Sequence, residues 1–164
     1  MKRPTLYAEG TTVAAEKTRV EIETLLTRYG ASSFGYLVDD GRAAVAFKAK
    51  GRRVRFLLPV PSEEDPKLAA RHGRSIYRNG RYVKIVPPDK IQAEVRRRWR
   101  ALLLAIKSKL ENVASGIETF EEAFLAQILL PGGQTVGEAV APQIEESYLQ
   151  DAPLALLPAP QDRA

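Results

Sequence analysis

The chain has 164 residues, enough for one domain with a real core, and its hydrophobic content of 45% and charged content of 27% are ordinary for a globular protein. It contains no cysteine, which excludes disulfides and thiolate metal sites. No apolar run is long enough to cross a bilayer and no signal-peptide pattern is present, so the sequence predicts a cytoplasmic protein without a membrane partner.

The net charge of +5 conceals an uneven distribution along the chain. Residues 42–109 hold 19 of the 25 lysines and arginines but five acids, a net charge of +14, whereas residues 110–164 carry a net charge of −8. A basic block of this size is typical of a surface that binds a polyanion. It is equally expected if the acidic C-terminal segment meets the block inside the fold or across a dimer, so both interpretations stay open.

The first part of the chain is predicted to be an arm followed by a helix. Residues 1–12 lack periodicity and are predicted to be flexible. A helix over about 15–29 follows, which Thr11 or Thr12 caps and Gly30 ends. Its predicted core face consists of the apolar residues at helical spacing, Ile22, Leu25, Leu26 and Tyr29.

Three strands are predicted next, over 33–38, 43–49 and 53–58, joined by turns at 39–41 and 50–51. The face expected to pack against helices is formed by Phe34, Tyr36, Val38, Val45, Phe47, Val54, Phe56 and Leu58. The opposite face combines small residues with cations: Gly35, Ala44, Ala46, Lys48, Arg53 and Arg55. Small side chains leave room for a phosphate backbone, although a solvent-facing or subunit-covered sheet has the same composition.

A basic hairpin is predicted around Asn79-Gly80, with strands over 75–77 and 82–86. Its side chains suit a nucleic-acid-binding finger, because tyrosine stacks on bases and cations pair with phosphates. The residues concerned are Tyr77, Arg78, Arg81, Tyr82 and Lys84. A mobile loop is the alternative for this segment.

One long amphipathic helix is predicted over 89–113, with Asp89 as N-cap and Gly116 as its stop. Its apolar stripe recurs at spacings of three, four and seven: Ile91, Val95, Trp99, Leu102, Leu103, Ile106, Leu110 and Val113. Cations line both flanks of the stripe, Arg96, Arg100 and Lys107 on one side and Arg98 and Lys109 on the other. They form either a solvated face or an anion-binding flank.

Two shorter helices are predicted after the long one. Capping boxes at Thr119–Glu122 and Thr135–Glu138 begin helices that reach about Leu130 and Leu149, and Pro142 is expected to bend or divide the second. The order of elements predicts a single α+β domain over 13–150. A tail over 151–164 follows, and its candidate docking residues are Leu154, Leu156 and Leu157.

Two segments, 51–59 (GRRVRFLLP) and 97–140 (beginning RRWRALLLAIKSKLENV), resemble a group of small uncharacterised proteins encoded by bacteriophages and prophages. The resemblance extends over most of 15–158 and implies an origin in a mobile element without implying an activity. That context favours a DNA-metabolism accessory protein or a small regulator of a host system. The helix–strands–helix order is also that of double-stranded-RNA-binding domains and, with a basic groove, of Rad52-like annealing proteins, as a topological analogy alone.

The residues do not assemble a recognisable catalytic or metal site. His72 is the single histidine and lies in a basic stretch, and no phosphate-binding or nucleophile motif is present. A restriction-type nuclease core needs an acid two positions before Lys48, where the chain has Ala46. Glu118, Glu121 and Glu122 are better explained as first-turn acids near a helix dipole than as metal ligands. We therefore expect no enzymatic activity and no cofactor.

The leading hypothesis is a non-catalytic phage-type accessory protein that binds nucleic acid, DNA in preference to RNA, through a basic sheet and helix surface. The predicted contact residues are Lys48, Arg53, Arg55, Tyr77, Arg78, Arg81, Tyr82, Arg96, Arg97, Arg100 and Lys107. The alternative is a protein-binding or self-associating regulator, acting on a host or phage protein or forming a homo-oligomer. In that case the basic part of one subunit contacts the acidic part of another, with Leu104 as a contact.

Overall fold

The computed structural model describes residues 5–39 and 41–151, and the α+β fold class is confirmed. The helices are α1 (Ala15–Arg28), α2 (Pro66–His72), α3 (Pro88–Ala114), α4 (Phe120–Phe124) and α5 (Val136–Gln150). The strands are β1 (Ser33–Asp39), β2 (Arg42–Ala49), β3 (Arg52–Pro59), β4 (Arg74–Arg78) and β5 (Arg81–Ile85). Residues 1–4 of the predicted arm, Asp40 of the first turn, and 152–164 of the predicted tail, with its three leucines, lie outside the described residues.

The first three strands form one antiparallel sheet in the order β1-β2-β3, as the two turn signals predict. Val45 of β2 lies opposite Tyr36 of β1 and Phe56 of β3. Alternation along β2 and β3 buries one face of the sheet, including Phe47 and Val54. Helices α1, α3 and α4 therefore cover one face. The face with the small residues and cations lies opposite, and its Arg55 reaches α5.

The apolar face is not buried along its whole width. Tyr36 and Val38 are both more than half exposed, so the prediction that they pack against helices is wrong. β1 is the edge of the sheet, and the helices lie over β2 and β3. The Tyr36 ring is instead covered by the Arg19 guanidinium, 4.8 Å from the ring centroid, which suits a cation–π contact.

Helix α3 lies beside α1 and buries the predicted stripe. Trp99, Leu102, Ile106 and Leu110 are buried in the main core, together with Ile22 and its neighbours on α1. The contacts with α3 follow the same order along the sequence of both segments. The Thr11 carbonyl, before α1, accepts from Arg96, and the Tyr29 hydroxyl, after α1, bonds Glu111. The two helices therefore run parallel.

Helices α1 and α3 end at the predicted glycines, but they do not begin at the predicted N-caps. Gly30 and Gly116 adopt φ of +84° and +72°, and the amide two residues past each C-cap bonds back into the last turn, which is the Schellman arrangement. The N-caps are Ala14 and Pro87, neither with a capping side chain. Asp89 lies inside the first turn of α3, so it was wrongly predicted as the cap, as were Thr11 and Thr12 for α1.

Helix α2 was not predicted from the sequence. Its N-cap is Asp65, whose Oδ1 accepts a hydrogen bond from the Leu68 amide at 2.9 Å, and Pro66 occupies the first helical position. An aspartate followed by proline is a recognised helix start. The signal was present, but seven residues are too few for a helical period to appear.

The first of the two C-terminal helices is shorter than predicted, whereas the second has the predicted bounds to within one residue. Both capping boxes form, but α4 ends at Phe124 and a 3-10 turn leads to Ile128, which pairs with Val54 at the free edge of β3. The Leu129 amide donates to the Arg53 carbonyl at 2.7 Å. Residues 128–129 are extended and pair with the edge of β3, so they cannot continue α4 towards Leu130. By contrast, α5 continues through Pro142 and is not divided there.

Phe124 is fully buried at the junction of the sheet with α4, where its ring lies edge-on to those of Phe47 and Phe56. We expect Phe124→Ala to lower the free energy of unfolding by about 3–5 kcal/mol, because it leaves a cavity that rigid neighbours cannot fill. Urea unfolding monitored by circular dichroism measures this effect. The neighbouring Leu125 is more than half exposed, so Leu125→Ala is the control and should cost less than about 1 kcal/mol. Equal losses would contradict this description of the core.

Candidate nucleic-acid interface

The predicted basic hairpin forms from β4 and β5. Asn79 and Gly80 both have positive φ, 50° and 78°, as a two-residue type I′ turn requires. Tyr77 lies opposite Tyr82, and Arg78 lies opposite Arg81. The hairpin is a two-stranded sheet separate from the three-stranded one.

The hairpin is attached to the domain at its base. Val86 is buried in a small second core with Leu68 and Ala69 of α2, against which Ile91 of α3 packs. The Val86 amide also donates to the Glu63 carbonyl at 2.8 Å. An isolated two-stranded hairpin is marginal in water, so these contacts are what hold it in place. The strands beyond this base extend into solvent.

The solvent-facing part of the hairpin carries two tyrosines and several cations. Tyr77 and Tyr82 are 67% and 78% exposed, and their ring centroids are 5.2 Å apart. No acid occurs between residues 74 and 85, and the cations there are Arg74, Arg78, Arg81 and Lys84. Arg74 was missed from the sequence, although it continues the alternation of β4. Arg78 bonds Glu63 at 3.0 Å in a pair whose members are both about half exposed, so that arginine remains accessible.

A second group of predicted residues lies at one end of the three-stranded sheet. Lys48 and Arg53 are opposite each other in the register, next to the pair formed by Gly35 and Ala46. With Leu129 they line a shallow groove of about 290 Å³. Lys48 and Arg53 have no acidic partner among the residues that the structure describes. This is the part of the small-residue face that stays open.

Arg55, on the same face, is bound to the C-terminal segment. Its Nη2 lies 2.8 Å from Glu138 Oε2, and its Nε is buried without a hydrogen-bond partner in the described part of the chain. Hydrogen bonding from the Thr135 backbone, and the nearby Arg55 charge, hold the pKa of Glu138 below its ordinary value. Arg52 meets Glu121 at 3.6 Å in the same way. The acidic segment therefore neutralises part of the basic block within the fold.

The arginines near the start of α3 form a network with acids. Glu94 accepts two hydrogen bonds from Arg97 at 2.7 Å and one from Arg98 at 2.9 Å. Arg98 also donates to the Pro59 carbonyl at 2.8 Å and lies 3.4 Å from Asp65. Hydrogen bonds from the two arginines hold the pKa of Glu94 at about 2, against the opposing effect of burial. The Glu94 spacing of three and four residues from the arginines was the sequence signal for this pairing.

The flank of α3 towards α1 is also largely occupied. Arg100 pairs with Glu21 at 2.6 Å, and Arg96 Nε donates to the Thr11 carbonyl at 3.3 Å. Lys107 is exposed and has no partner in the described ranges. It borders a groove between α1 and α3 that contains no residue of the hairpin and neither Lys48 nor Arg53.

The predicted residues therefore lie in separate places rather than in one basic stripe. The hairpin brings together Tyr77, Arg78, Arg81 and Tyr82. Lys48 lies near the end of β2, and Arg53 lies opposite it near the start of β3. Pro59, where the chain leaves the sheet towards the hairpin, is six residues beyond Arg53, which is about 20 Å along an extended strand. Five of the predicted cations meet an acid or a carbonyl within the fold: Arg55, Arg78, Arg96, Arg97 and Arg100, of which Arg78 is in a half-exposed pair.

The described residues contain no cluster of three or more acidic or histidine side chains able to hold a metal ion. His72 is exposed in the last turn of α2. No helix within 5–39 or 41–151 has the length and apolar character needed to cross a membrane. Comparison of the chain with protein-family models, with curated proteins and with solved structures found no match.

The Glu94 network predicts a specific dependence of stability on pH. The folded pKa of about 2 lies below the ordinary value of 4.5, so the stabilisation is complete above about pH 4.5 and is lost as the pH falls towards 2. The shift alone corresponds to about 3 kcal/mol, and solvent screening of this partly exposed pair reduces the expected contribution to about 1–2 kcal/mol. We expect Glu94→Gln to lose this amount at pH 7 and much less at pH 3.

Urea unfolding of wild type and variant at both pH values measures the difference. Glu23→Gln is the control, because Glu23 is exposed on α1 without an ion-pair partner among the described residues. It should change stability by less than about 0.5 kcal/mol at either pH. A Glu94→Gln loss that is the same at pH 3 and pH 7 would contradict the role given to the carboxylate.

Proposed function

We propose that the protein is a non-catalytic nucleic-acid-binding protein whose principal contact element is the β4–β5 hairpin. The observation that carries this proposal is the coincidence of exposed tyrosines and cations on a projecting ribbon that has no acid. Aromatic side chains stack on bases, and cations nearby pair with phosphates. Both requirements are met within residues 74–85.

The pairing of side chains in the hairpin indicates how a single-stranded nucleic acid would lie on it. The register puts Tyr77 beside Tyr82 and Ser75 beside Lys84 on one face of the ribbon, and Arg78 beside Arg81 on the other. Bases on the tyrosine face would leave their phosphates within reach of Lys84 and of the arginines at the tip. This arrangement favours single-stranded nucleic acid with little sequence preference, because every base has a face on which to stack.

Lys48 and Arg53 form a second, smaller contact region in this proposal, reached by a longer nucleic acid. The resemblance to phage-encoded proteins adds the context: an accessory role in the DNA metabolism of a mobile element, in the cytoplasm of a bacterial host. Under this proposal, the internally paired arginines of α3 stabilise the fold and do not touch the ligand.

Removing hairpin cations should weaken binding and reduce its salt dependence. For the double variant Arg81→Gln with Lys84→Gln, we expect the slope of log K against log salt concentration to fall in magnitude by about 1–2, because each lost phosphate contact releases fewer counterions. Fluorescence anisotropy with single- and double-stranded DNA and RNA, between about 50 and 200 mM salt, measures this. Lys17→Gln with Arg28→Gln removes two charges from α1 and should leave the slope unchanged. No binding of wild type to any of the four polymers at the low end refutes the proposal.

The tyrosines test stacking separately from charge. Tyr82→Ala should weaken binding to single strands by about 1–3 kcal/mol, because it removes a stacking platform without removing a cation. Tyr82→Phe keeps the ring and should bind within about 0.5 kcal/mol of wild type. The same anisotropy assay at fixed salt measures both. If the alanine and phenylalanine variants bind equally well, bases do not stack on Tyr82.

A further inference from the structure

The groove between α1 and α3 is an open surface that the nucleic-acid proposal leaves unused. Its volume is about 510 Å³. Val20 of α1 and Leu104 of α3 line it and are well exposed, with the half-buried Leu103 beside them. An apolar floor of this kind, open to water, is typical of a surface that receives another protein element.

Cations surround this apolar floor. Lys17 and Arg28 on α1, and Lys107 on α3, line the groove without an acidic partner among the described residues. Arg100 and Glu21 also line it, and they neutralise each other. The groove therefore combines exposed aliphatic side chains with an unpaired charge of +3.

The second half of α5 has the complementary properties. Tyr148 and Leu149 are 86% and 81% exposed, and Ile144 is also exposed. At about 100° per residue, Ile144, Glu145, Tyr148 and Leu149 fall within an arc of roughly 140°, on one side of the helix. Residues 144–151 carry three acids and no base. Glu145 and Asp151 lie on or beside this side, and Glu146 lies outside it. This side of α5 therefore combines exposed apolar side chains with negative charge.

We propose that the second half of α5 in one copy of the protein binds in the α1–α3 groove of a second copy. The charges are opposite, with three unpaired cations around the groove, and Glu145 and Asp151 on the side of the helix that carries Ile144, Tyr148 and Leu149. The lengths also match, since residues 144–151 span about 12 Å of helix and the groove follows α1 from Lys17 to Arg28 over about 16 Å. Each copy has one helix and one groove, so a reciprocal pair of copies uses both contacts and closes the assembly.

This helix-in-groove contact is independent of the nucleic-acid proposal. It uses neither the hairpin nor the open end of the sheet, and it is tested in the absence of nucleic acid. Charge complementarity selects the partner and its orientation, and the apolar side chains supply the buried area.

The test is sedimentation velocity of the full chain over a range of concentrations from low to high micromolar. Wild type should associate, and more weakly as salt increases. Two charge-reversal variants separate the partners of the contact. Lys17→Glu with Lys107→Glu reverses the charge of the groove, and Glu145→Lys with Asp151→Lys reverses the charge of the docking side of the helix. Each alone should raise the dissociation constant at least about tenfold, because like charges then face each other.

An equimolar mixture of the two reversal variants should associate again, because each contact in the mixed pair joins opposite charges. This restoration also shows that both variants are folded. Lys48→Glu with Lys50→Glu is the control, which reverses two exposed cations at the end of the sheet and should associate as wild type does. A wild type that stays monomeric at every concentration overturns the proposal. So does association that persists in both reversal variants, which would place the contact elsewhere, for example at the exposed edge of β1.

Discussion

Burial of the apolar stripe of α3 is the constraint on which the rest of the structure depends. The stripe is too wide for one neighbour to cover, so α1 lies along one side of it while the sheet and α4 cover the other. Fixing the stripe also fixes the direction of the cations beside it. Arg96 and Arg100 reach α1 and the segment before it, whereas Arg98 reaches the end of β3 and Lys109 the α4 carbonyl of Ala123.

The same constraint explains why a segment with a net charge of +14 does not present one continuous basic surface. Cations that flank a core helix are brought close to neighbouring elements, and there they find acids or carbonyls, as Arg97 and Arg98 do around Glu94. Among the described residues, cations stay without an acidic partner on the hairpin, at the end of the sheet and beside the open α1–α3 groove. They include Arg81 and Lys84, Lys48 and Arg53, and Lys17, Arg28 and Lys107. The arrangement of the elements therefore decides which cations are accessible, and the accessible positive charge is smaller than the number of arginines in the sequence suggests.

Local signals predicted much of the fold. Tertiary competition explains the misses at α4 and Tyr36, whereas α2 was missed because it is too short to show a helical period. The α3 stripe, the Asn79-Gly80 turn and both capping boxes depend on neighbouring residues alone, and all were found. The end of α4 depends on the unpaired edge of β3, and the exposure of Tyr36 depends on which strands the helices cover. At the candidate site, the hairpin was predictable because its Asn79-Gly80 turn is a local signal. The internal partners of Arg55 and Arg100 were not, because Glu138 and Glu21 are about 80 residues away in sequence.

One part of the acidic C-terminal segment pairs with the basic block, and another part carries its acids into solvent. Glu138 caps α5 and pairs with Arg55, which fixes the start of that helix to the sheet. Beyond Pro142, which cannot donate to the preceding turn, the helix carries its remaining acids into solvent. Those acids repel a polyanion, so a nucleic acid is expected to approach from the hairpin side. Association through the α1–α3 groove would neutralise the same acids while leaving the hairpin free. The two surfaces are therefore compatible, because association through the α1–α3 groove covers none of the hairpin cations.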